Sequence, residues 1–400
     1  MVQGRCLLVK LMLKAQQPVG ELSRLFQVSR QTAYKWKARF LEAGRRGLRD
    51  LSRRPKRSPT QLASFWVRRI QNLRRRHRRW GAKKIRAVLR RKHPRQKAPA
   101  VRTITLWLQR LRLTKPRRRR PPKGPTVVRS GLTQARAANQ VWTVDFKGWW
   151  RTVDGRRVEP LTVRDLFSRY LLTVRLLPDQ QWWRVRAVFI GLFRRHGLPR
   201  VIRVDNGGPF ASAGPAGLSR LSVWWTALGI RVEFTRPAHP QDNGGHEQMH
   251  RVLKAEATRP ASSTLRAQQR RLDRWRHTYN QERPHEALGQ RTPAQCYRVG
   301  GRKYPKESPR WRYPKGWAER GVRGNGQIRW QGRLRFVGEA FTGCKVGLKS
   351  LRPGNWAAYL GGILLGELRA SDACGLRPAA YVRKHPTQPK KKGVNHVFAS

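Results

Sequence analysis

Apolar residues in the first part of the chain recur at the spacing of amphipathic helices. In residues 18–44 this spacing predicts two helices joined by a tight turn at Val28 and Ser29, with Ser29 as the N-cap of the second helix. The predicted apolar faces comprise Leu22, Leu25, Phe26, Ala33, Trp36 and Phe40. Residues 1–46 are therefore expected to form a helix–turn–helix domain, and a further helix is expected in the apolar run at its start.

A second helical module is expected over residues 60–114. Three apolar stripes at helical spacing predict three short helices. The stripes comprise Leu62, Trp66, Ile70, Leu73, Ile85, Val88, Leu89, Ile104, Trp107, Leu108 and Leu111. Because arginine is abundant between the stripes, we expect a winged-helix-like DNA-binding module, and the alternative is a packing domain with charged faces.

From residue 139 onward the pattern changes to short runs rich in β-branched and aromatic residues. Three such runs come first, and helical and strand-like segments then alternate. This order predicts an α/β core over 139–300, with a mixed five-stranded sheet covered by helices. Over 301–382, short strands punctuated by glycine predict a small β-barrel. The chain is thus expected to be multidomain, with all-α modules before the core and a β domain after it.

The net charge of the chain indicates what kind of partner it binds. The chain of 400 residues contains 89 Lys and Arg against 21 Asp and Glu, which is a formal net charge of +68. Such a charge favours binding to a polyanion. The Arg- and Pro-rich stretches at 47–59 and 115–138 are expected to be basic linkers, and 383–400 is expected to be a basic disordered tail.

Other features of the sequence exclude several classes of protein. No run of 18 apolar residues occurs, and the start of the chain lacks the features of a signal peptide. We therefore expect no membrane partner and a cytoplasmic location. The four cysteines include no CxxC pair, so neither a zinc cluster nor a disulfide framework is expected.

The second helix of the helix–turn–helix domain is the predicted reader of double-stranded DNA. In this motif the N-terminal residues of the second helix contact base edges. The predicted contact residues are Ser29, Arg30, Gln31, Thr32, Tyr34 and Lys35. An ordinary helical hairpin with a basic outer face is the alternative interpretation.

Three carboxylates stand at positions suited to a metal site. Asp145 and Asp205 each end a predicted strand, and Glu247 starts a predicted helix. Ends of neighbouring strands can bring two side chains together, and a helix that crosses the same edge can supply a third. Carboxylate oxygens suit Mg²⁺, whereas histidine and thiolate favour softer metals. Taken singly, each residue also has a structural explanation, since Asp before Asn-Gly is a common turn and Glu at a helix start favours the helix dipole.

Four segments carry a resemblance to a known family. They read WTVDF around Asp145, DNGGPF from Asp205, RPAHPQDNGGHEQMH around Glu247, and YNQERPHEAL after the last predicted helix of the core. Together they resemble the retroviral-integrase-like DDE transposases of bacterial insertion sequences, whose catalytic core has an RNase H-like fold. The resemblance covers about residues 15–300 and is most specific over 139–297.

The resemblance implies a function. Asp145, Asp205 and Glu247 would be metal-binding catalytic residues that hold Mg²⁺ or Mn²⁺, with two ions expected. The chain would be a transposase that binds the ends of a mobile DNA element and catalyses cleavage and strand transfer into target DNA. It would act as a homodimer or higher oligomer on paired DNA ends.

Alternatives of other classes remain at this point. One is a non-catalytic DNA-binding protein derived from a transposase, and another is an RNase H-like nuclease that acts on RNA hybrids. A third arises because His246, Glu247 and His250 form an HExxH pattern, in which two histidines could bind Zn²⁺ and the glutamate could act as general base of a protease. The candidates for a third zinc ligand are Glu256, His277 and His285.

Some residues of the core permit two interpretations. Asp165 could be a secondary metal ligand, but its position at a strand end favours a structural role. The tryptophan pairs 149–150, 182–183 and 224–225 could stack bases, and packing in the core or at its rim is the favoured interpretation. His246 and His250 are alternatively expected to face DNA or solvent.

Overall fold

The structure is a computed structural model, and it describes residues 2–51, 61–114, 131–236, 240–307, 309–373 and 375–378. Most of both predicted linkers, the whole predicted tail and Cys374 lie outside these residues. The chain divides into two compact units, Met1–Ser64 and Phe65–Ser400.

The first unit contains three helices. They are α1 (Val2–Lys14), α2 (Val19–Leu25) and α3 (Arg30–Gly47). Ser29 caps α3 as predicted, because its hydroxyl accepts a hydrogen bond from the backbone N–H of Thr32. The helices are held together by a buried cluster that includes Leu8, Met12, Leu22 and Ala33. Leu25 was expected in this core but is 71% exposed, because α2 ends there and its last turn faces solvent.

Three more helices begin the second unit. They are α4 (Ser64–Arg76), α5 (Ala82–Lys92) and α6 (Val101–Arg110). The predicted stripes supply their core, which includes the buried residues Ile70, Ile85, Val88, Ile104 and Leu108. No strand lies in the described residues 61–114, so the likeness to a winged helix is limited to the helices.

A mixed sheet forms the centre of the second unit. Its strands are β1 (Val141–Phe146), β2 (Trp150–Arg151), β3 (Arg157–Asp165), β4 (Leu171–Leu177), β5 (Val201–Val204) and β6 (Arg231–Phe234). Five of them run in the order β4-β3-β1-β5-β6, and the two-residue β2 pairs with the start of β3. The pairings β1–β3 and β3–β4 are antiparallel, whereas β1–β5 and β5–β6 are parallel. The predicted mixed sheet is confirmed, with β2 as an addition.

Helices cover both faces of this sheet. They are α7 (Trp182–His196), α8 (Arg220–Ala227), α9 (Gly244–Ala257), α10 (Leu265–His277) and the short α11 (Pro293–Cys296). On one face, apolar residues of β1, β3 and β4 pack against α7 and α8. On the other face, residues of β3 and β4 pack against Met249 and Leu253 of α9 and against Leu272 and Trp275 of α10. The result is a three-layer α/β/α core.

The last described part of the chain forms two small sheets. Its strands are β7 (Ala318–Gly321), β8 (Gln327–Trp330), β9 (Arg333–Phe336), β10 (Lys345–Arg352), β11 (Asn355–Leu360), β12 (Ile363–Arg369) and β13 (Arg377–Pro378). Five of them form an antiparallel sheet in the order β13-β12-β11-β10-β7, and β8 and β9 form a separate hairpin.

The expected small β-barrel is not formed by these strands. Closure requires the outer strands to pair, but β13 has two residues and does not pair with β7. The apolar face of the sheet is instead covered by the hairpin and by Ala216, Leu218 and Val223 of the core. Burial of this face therefore comes from neighbouring elements, which removes the need for the sheet to close on itself.

Candidate active site

Asp145 lies near the carboxyl end of β1, on the face of the sheet that α9 covers. It shares this face with Thr143, because side chains two positions apart in a strand point the same way. Its side chain is 24% exposed. Burial raises the pKa of the Asp145 carboxyl to about 7, and the nearby charges of Asp205 and Glu247 act in the same direction.

Asp205 follows β5 directly. Because β5 runs parallel to β1 and beside it, the carboxyl ends of the two strands meet at the same edge of the sheet. The backbone N–H of Gly207 lies 3.3 Å from Oδ1 of Asp205 and donates to it. Desolvation raises the pKa of this carboxyl as well. Residue 205 is exposed, so its carboxyl is open to a ligand.

Glu247 lies in the first turn of α9 and is exposed. Its charge acts on the carboxyl of Asp145. The structure thus brings Asp205 and Glu247 within electrostatic range of Asp145, although they are far apart in the sequence. The first turn of α9 is also where backbone N–H groups favour a negative side chain.

Beneath Asp145, two buried histidines share one threonine hydroxyl. Oγ1 of Thr162 lies 2.6 Å from Nε2 of His246 and 2.8 Å from Nε2 of His250, and it donates to the backbone carbonyl of Asp145 at 2.9 Å. Because that hydroxyl has one proton, both Nε2 atoms must donate to it. Nδ1 of His246 then accepts from Oγ1 of Thr143 at 2.9 Å.

Burial keeps both imidazoles neutral. It lowers the pKa of His250 to about 3 and that of His246 well below its usual range. With Nε2 of His250 protonated, its Nδ1 has no proton and lies 3.6 Å from Oδ2 of Asp145. Ligand atoms of Asp145, His246 and His250 all lie within 4.8 Å of one another. The expectation that these histidines face DNA or solvent was wrong, since both are buried between α9 and the sheet.

The zinc-protease alternative finds no support in this geometry. His246 is fully buried, and both of its ring nitrogens are already hydrogen-bonded to threonine hydroxyls. Glu256, a candidate third ligand, accepts hydrogen bonds from Trp275 and Arg283. The HExxH pattern is therefore a helix that presents its histidines to the sheet and its glutamate to the outside.

A buried arginine fixes the start of α9. Arg164 of β3 is buried, and its guanidinium donates to the carbonyl of Gly245 at 2.5 Å. It also hydrogen-bonds the side chain of Tyr279. A Cβ on residue 245 would lie 2.6 Å from Nη2 of Arg164, so glycine is needed at this position. Sequence reasoning missed Arg164, although an arginine inside the apolar run PLTVRDLF was a signal.

Two lysines beside the carboxyls were also missed. Burial lowers the pKa of Lys147, the positive charge of Lys254 lowers it further, and Asp145 acts in the opposite direction. Lys147 follows β1 and Lys254 is on α9. Positive charges therefore lie after β1 and on α9, which are two of the three elements that supply the carboxyls.

Asp165 has the structural role that its strand-end position favoured. Its carboxylate accepts hydrogen bonds from the backbone N–H of Asn139 at 2.8 Å and of Ser168 at 2.8 Å, and from the hydroxyl of Ser168 at 2.5 Å. These bonds close the turn after β3 and tie it to the residues before β1. Among the described residues, the ligand atoms that lie within 4.8 Å of one another belong to Asp145, His246 and His250, and this group includes neither Asp165 nor Asp205 and Glu247.

The predicted DNA contacts of the first unit lie at the start of α3. Ser29, Arg30, Gln31, Tyr34 and Lys35 are exposed. Thr32 is half-buried, and its hydroxyl lies 2.9 Å from that of Ser29. The exposed residues form one surface, while Ala33 and Trp36 face the core.

Parts of the chain match known families of protein domains. Residues 135–240 and 228–293 each match an integrase core domain, so that the matches together span the sheet and α9. Residues 5–56 match a helix–turn–helix domain, and 32–108 match a homeodomain-like domain. The chain is thus similar to proteins that combine a helix–turn–helix domain with an integrase core domain.

Two relatives come from bacterial insertion elements. The chain is 29% identical over 180 residues to the 31.7 kDa protein of insertion element IS407 from Burkholderia multivorans, which covers 45% of this chain and 62% of the relative. It is 29% identical over 240 residues to the 39.2 kDa protein of insertion element IS476 from Xanthomonas euvesicatoria, which covers 59% of this chain and 66% of the relative. The matches thus span somewhat less than two thirds of each relative.

Two solved structures also align with the chain. The HTLV-2 integrase catalytic core domain in complex with magnesium aligns at 16% identity and a TM-score of 0.33, covering 41% of this chain and 100% of that one. A simian T-cell lymphotropic virus intasome in complex with a PP2A regulatory subunit aligns at 15% identity and a TM-score of 0.36, covering 76% of this chain and 99% of that one. Among the described helices, none combines the length and apolar character that a bilayer span requires.

Proposed function

We propose that the chain binds the ends of a mobile DNA element and catalyses metal-dependent DNA cleavage and strand transfer at Asp145, Asp205 and Glu247. The observation that supports this most is the raised pKa of Asp145, which arises from burial and from the negative charges of the other two carboxyls. The charges of Asp205 and Glu247 both disfavour ionisation of Asp145, and a cation bound among the three carboxyls would offset this effect.

The donor atoms of this cluster suit Mg²⁺ or Mn²⁺. All three side chains offer carboxylate oxygens, which are the ligands that hard divalent cations prefer. Two such ions would activate the attacking oxygen and stabilise the leaving oxygen of a phosphodiester displacement. Thr162 would keep Asp145 in place from below, because its hydroxyl donates to the backbone carbonyl of Asp145.

The chain's own residues would then orient the DNA. Lys147 and Lys254 flank the carboxyls and would contact phosphates on either side of the scissile bond. Water attacks the scissile phosphorus and the bond to the 3′ oxygen breaks, which leaves a 3′-OH at the element end and a 5′-phosphate on the flanking DNA. The 3′-OH then attacks a target phosphodiester, and as the new bond forms, the bond to the 3′ oxygen of the target strand breaks and that oxygen leaves as a 3′-OH. No covalent protein intermediate is needed.

The partner would be double-stranded DNA, both at the element ends and at the target. The exposed residues at the start of α3 would read the ends, and the net charge of +68 would hold phosphates. Joining two ends to one target requires a homodimer or a higher oligomer on the DNA.

A cleavage and strand-transfer assay tests this proposal. Labelled duplexes that carry the ends of the encoding element are incubated with Mg²⁺ or Mn²⁺ and the full chain. Asp205→Asn and Glu247→Gln should each lower the rate more than about a hundredfold, since even contacts outside a metal's ligand set are worth about 10- to 100-fold. Asp273→Asn, an exposed carboxylate on α10, is the control and should leave the rate unchanged.

The same assay separates the alternatives. Binding to the labelled ends without any cleavage by the unaltered chain would favour a non-catalytic DNA-binding protein. Cleavage of RNA in an RNA–DNA hybrid, with no strand transfer of DNA, would favour an RNase H-like nuclease. Cleavage that persists in Asp205→Asn would refute the proposed site.

A further inference from the structure

Two adjoining cavities in the second unit, here together called the trough, lie between α7, α8 and the C-terminal strands. The larger one has a volume of about 1000 Å³ and the smaller one about 490 Å³. They share Trp182, Arg220 and Ala340, so the two spaces adjoin each other. Pro209, in the loop that follows Asp205, is among the residues that line the smaller cavity. The trough therefore extends along α7 and α8 from the loop after Asp205 to the C-terminal strands.

The walls of this trough combine tryptophan rings with positive charges. Its tryptophans are Trp182, Trp224 and Trp311, its cations are Arg186, Arg220, Arg310 and Lys345, and its acids are Glu307 and Glu339. Two of the arginines lie over indole rings, with Arg186 5.2 Å from the ring centre of Trp224 and Arg220 5.5 Å from that of Trp182. The trough thus combines indole rings, two of which have an arginine over one face, with a net positive charge.

We propose that this trough binds unpaired nucleotides of a DNA strand. The proposal rests on the proposed function, because DNA is the proposed substrate and the loop that follows Asp205 lines one end of the trough. Aromatic faces stack with unpaired bases and arginines neutralise phosphates, and this combination is typical of grooves that bind single strands. A duplex would gain less from the indoles, because its bases are already stacked on one another.

The other candidate occupant is a segment of this chain, and its charge argues against it. The sequence RKHPTQPKKKG at 383–393 is basic, as is the Arg-rich stretch at 115–125. Either segment would be repelled by the four cations of the trough. A polyanion is therefore the occupant that the charge of the trough favours.

Two arginines close together in the sequence provide a matched pair of variants. Arg310 lines the trough, whereas Arg312 does not, and both are exposed. Arg310→Glu and Arg312→Glu change the net charge equally, so general attraction to DNA falls by the same amount in both. Thermal midpoints of the two variants, compared with the parent chain, establish that each is folded.

The measurement compares how tightly the full chain binds two duplexes in the absence of divalent ions. One duplex carries a single-stranded thymidine overhang and the other is blunt, and the ratio of the two affinities gives the preference for the overhang. Arg310→Glu should lower this preference about tenfold, because it replaces a cation that would neutralise a phosphate of the overhang by an anion that repels it. Arg312→Glu should leave it unchanged. An equal decrease in both variants, or no preference in the parent chain, would overturn the proposal.

Photocrosslinking locates the overhang directly. With 5-iododeoxyuridine in the overhang, crosslinks are expected at Trp182 or Trp311, and Trp183 serves as the reference because it is exposed on the same helix outside the trough. Crosslinks at Trp183 alone would overturn the proposal. Asp205→Asn should keep the crosslinks, so failure of the proposed catalysis and failure of this binding site are distinguishable.

Discussion

Thr162 and His250 meet beneath the candidate active site, with Oγ1 of the threonine 2.8 Å from Nε2 of the histidine. The contact joins β3 to α9, the helix that carries Glu247. Since Thr162 stands opposite Asp145 in the β1–β3 ladder, one hydroxyl links two of the elements that bring the carboxyls together.

Thr162→Val tests this link. The change keeps the shape of the side chain but removes the acceptor of two buried N–H groups, on His246 and His250. We expect the free energy of unfolding to fall by about 2–4 kcal/mol, since each unsatisfied buried donor costs about 1–3 kcal/mol. Chemical denaturation measures it. Thr173→Val on β4 is the control and should change stability by less than about 0.5 kcal/mol.

The raised pKa of Asp145 predicts a pH dependence. The pKa is about 7 in the folded chain and 3.8 as the ordinary value, so between these pH values the folded state holds a proton that the unfolded state has released. This group therefore makes the metal-free chain less stable as the pH rises from about 4 to 7. The fall should be smaller in Asp145→Asn, as measured by thermal unfolding across this range.

Stabilisation of the chain by metal should increase with pH, which is opposite to the pH dependence of the metal-free chain. A cation favours the ionised form of Asp145, so Mg²⁺ or Mn²⁺ should raise the unfolding temperature more at about pH 8 than at about pH 5. In Asp145→Asn the difference between the two pH values should shrink. A metal-induced rise that is equal at both pH values in the unaltered chain would contradict the assignment of Asp145 as a ligand.

Gly245→Ala should disturb the start of α9. The new Cβ would lie 2.6 Å from Nη2 of Arg164, and that guanidinium is fully buried and cannot move aside at low cost. We expect unfolding free energy to fall by about 1–3 kcal/mol, with a lower rate of strand transfer because Glu247 lies in the same turn. Gly191→Ala on α7, where no atom lies within 4 Å of the added Cβ, should instead be neutral or stabilising by up to about 1 kcal/mol.

The exposed start of α3 predicts how the first unit binds DNA. Replacing Arg30 and Lys35 by alanine should weaken binding to element ends. The slope of the logarithm of the binding constant against the logarithm of the salt concentration should also become shallower, by about one for each phosphate that the altered chain no longer neutralises. Fluorescence anisotropy at several salt concentrations measures this slope. Lys10→Ala and Lys14→Ala on α1 are matched changes, and they should leave both affinity and slope closer to those of the unaltered chain.

Periodicity in the sequence predicted most of the elements. The helical stripes of 18–44 and 60–114 and the five long strands of the core appear where apolar spacing indicated them, because that spacing reports which face of an element is buried. The C-terminal strands were also expected, but whether they would close into the predicted barrel was not a property of any local pattern. It depended on whether Ala216, Leu218 and Val223 of the core would cover their apolar face.

The sequence by itself determined the types of the elements and singled out Asp145, Asp205 and Glu247 as a hypothesis, since motif and strand-end position are local properties. Tertiary structure alone decided that Thr162 and Arg164 of β3 face α9. The hydroxyl of Thr162 therefore contacts the buried, neutral His246 and His250. The guanidinium of Arg164 leaves room only for glycine at position 245. The pairing of β1 with both β3 and β5 brings these residues together. Contacts between residues distant in the chain depend on which strands become neighbours, and a sequence pattern limited to one element carries no information about that choice.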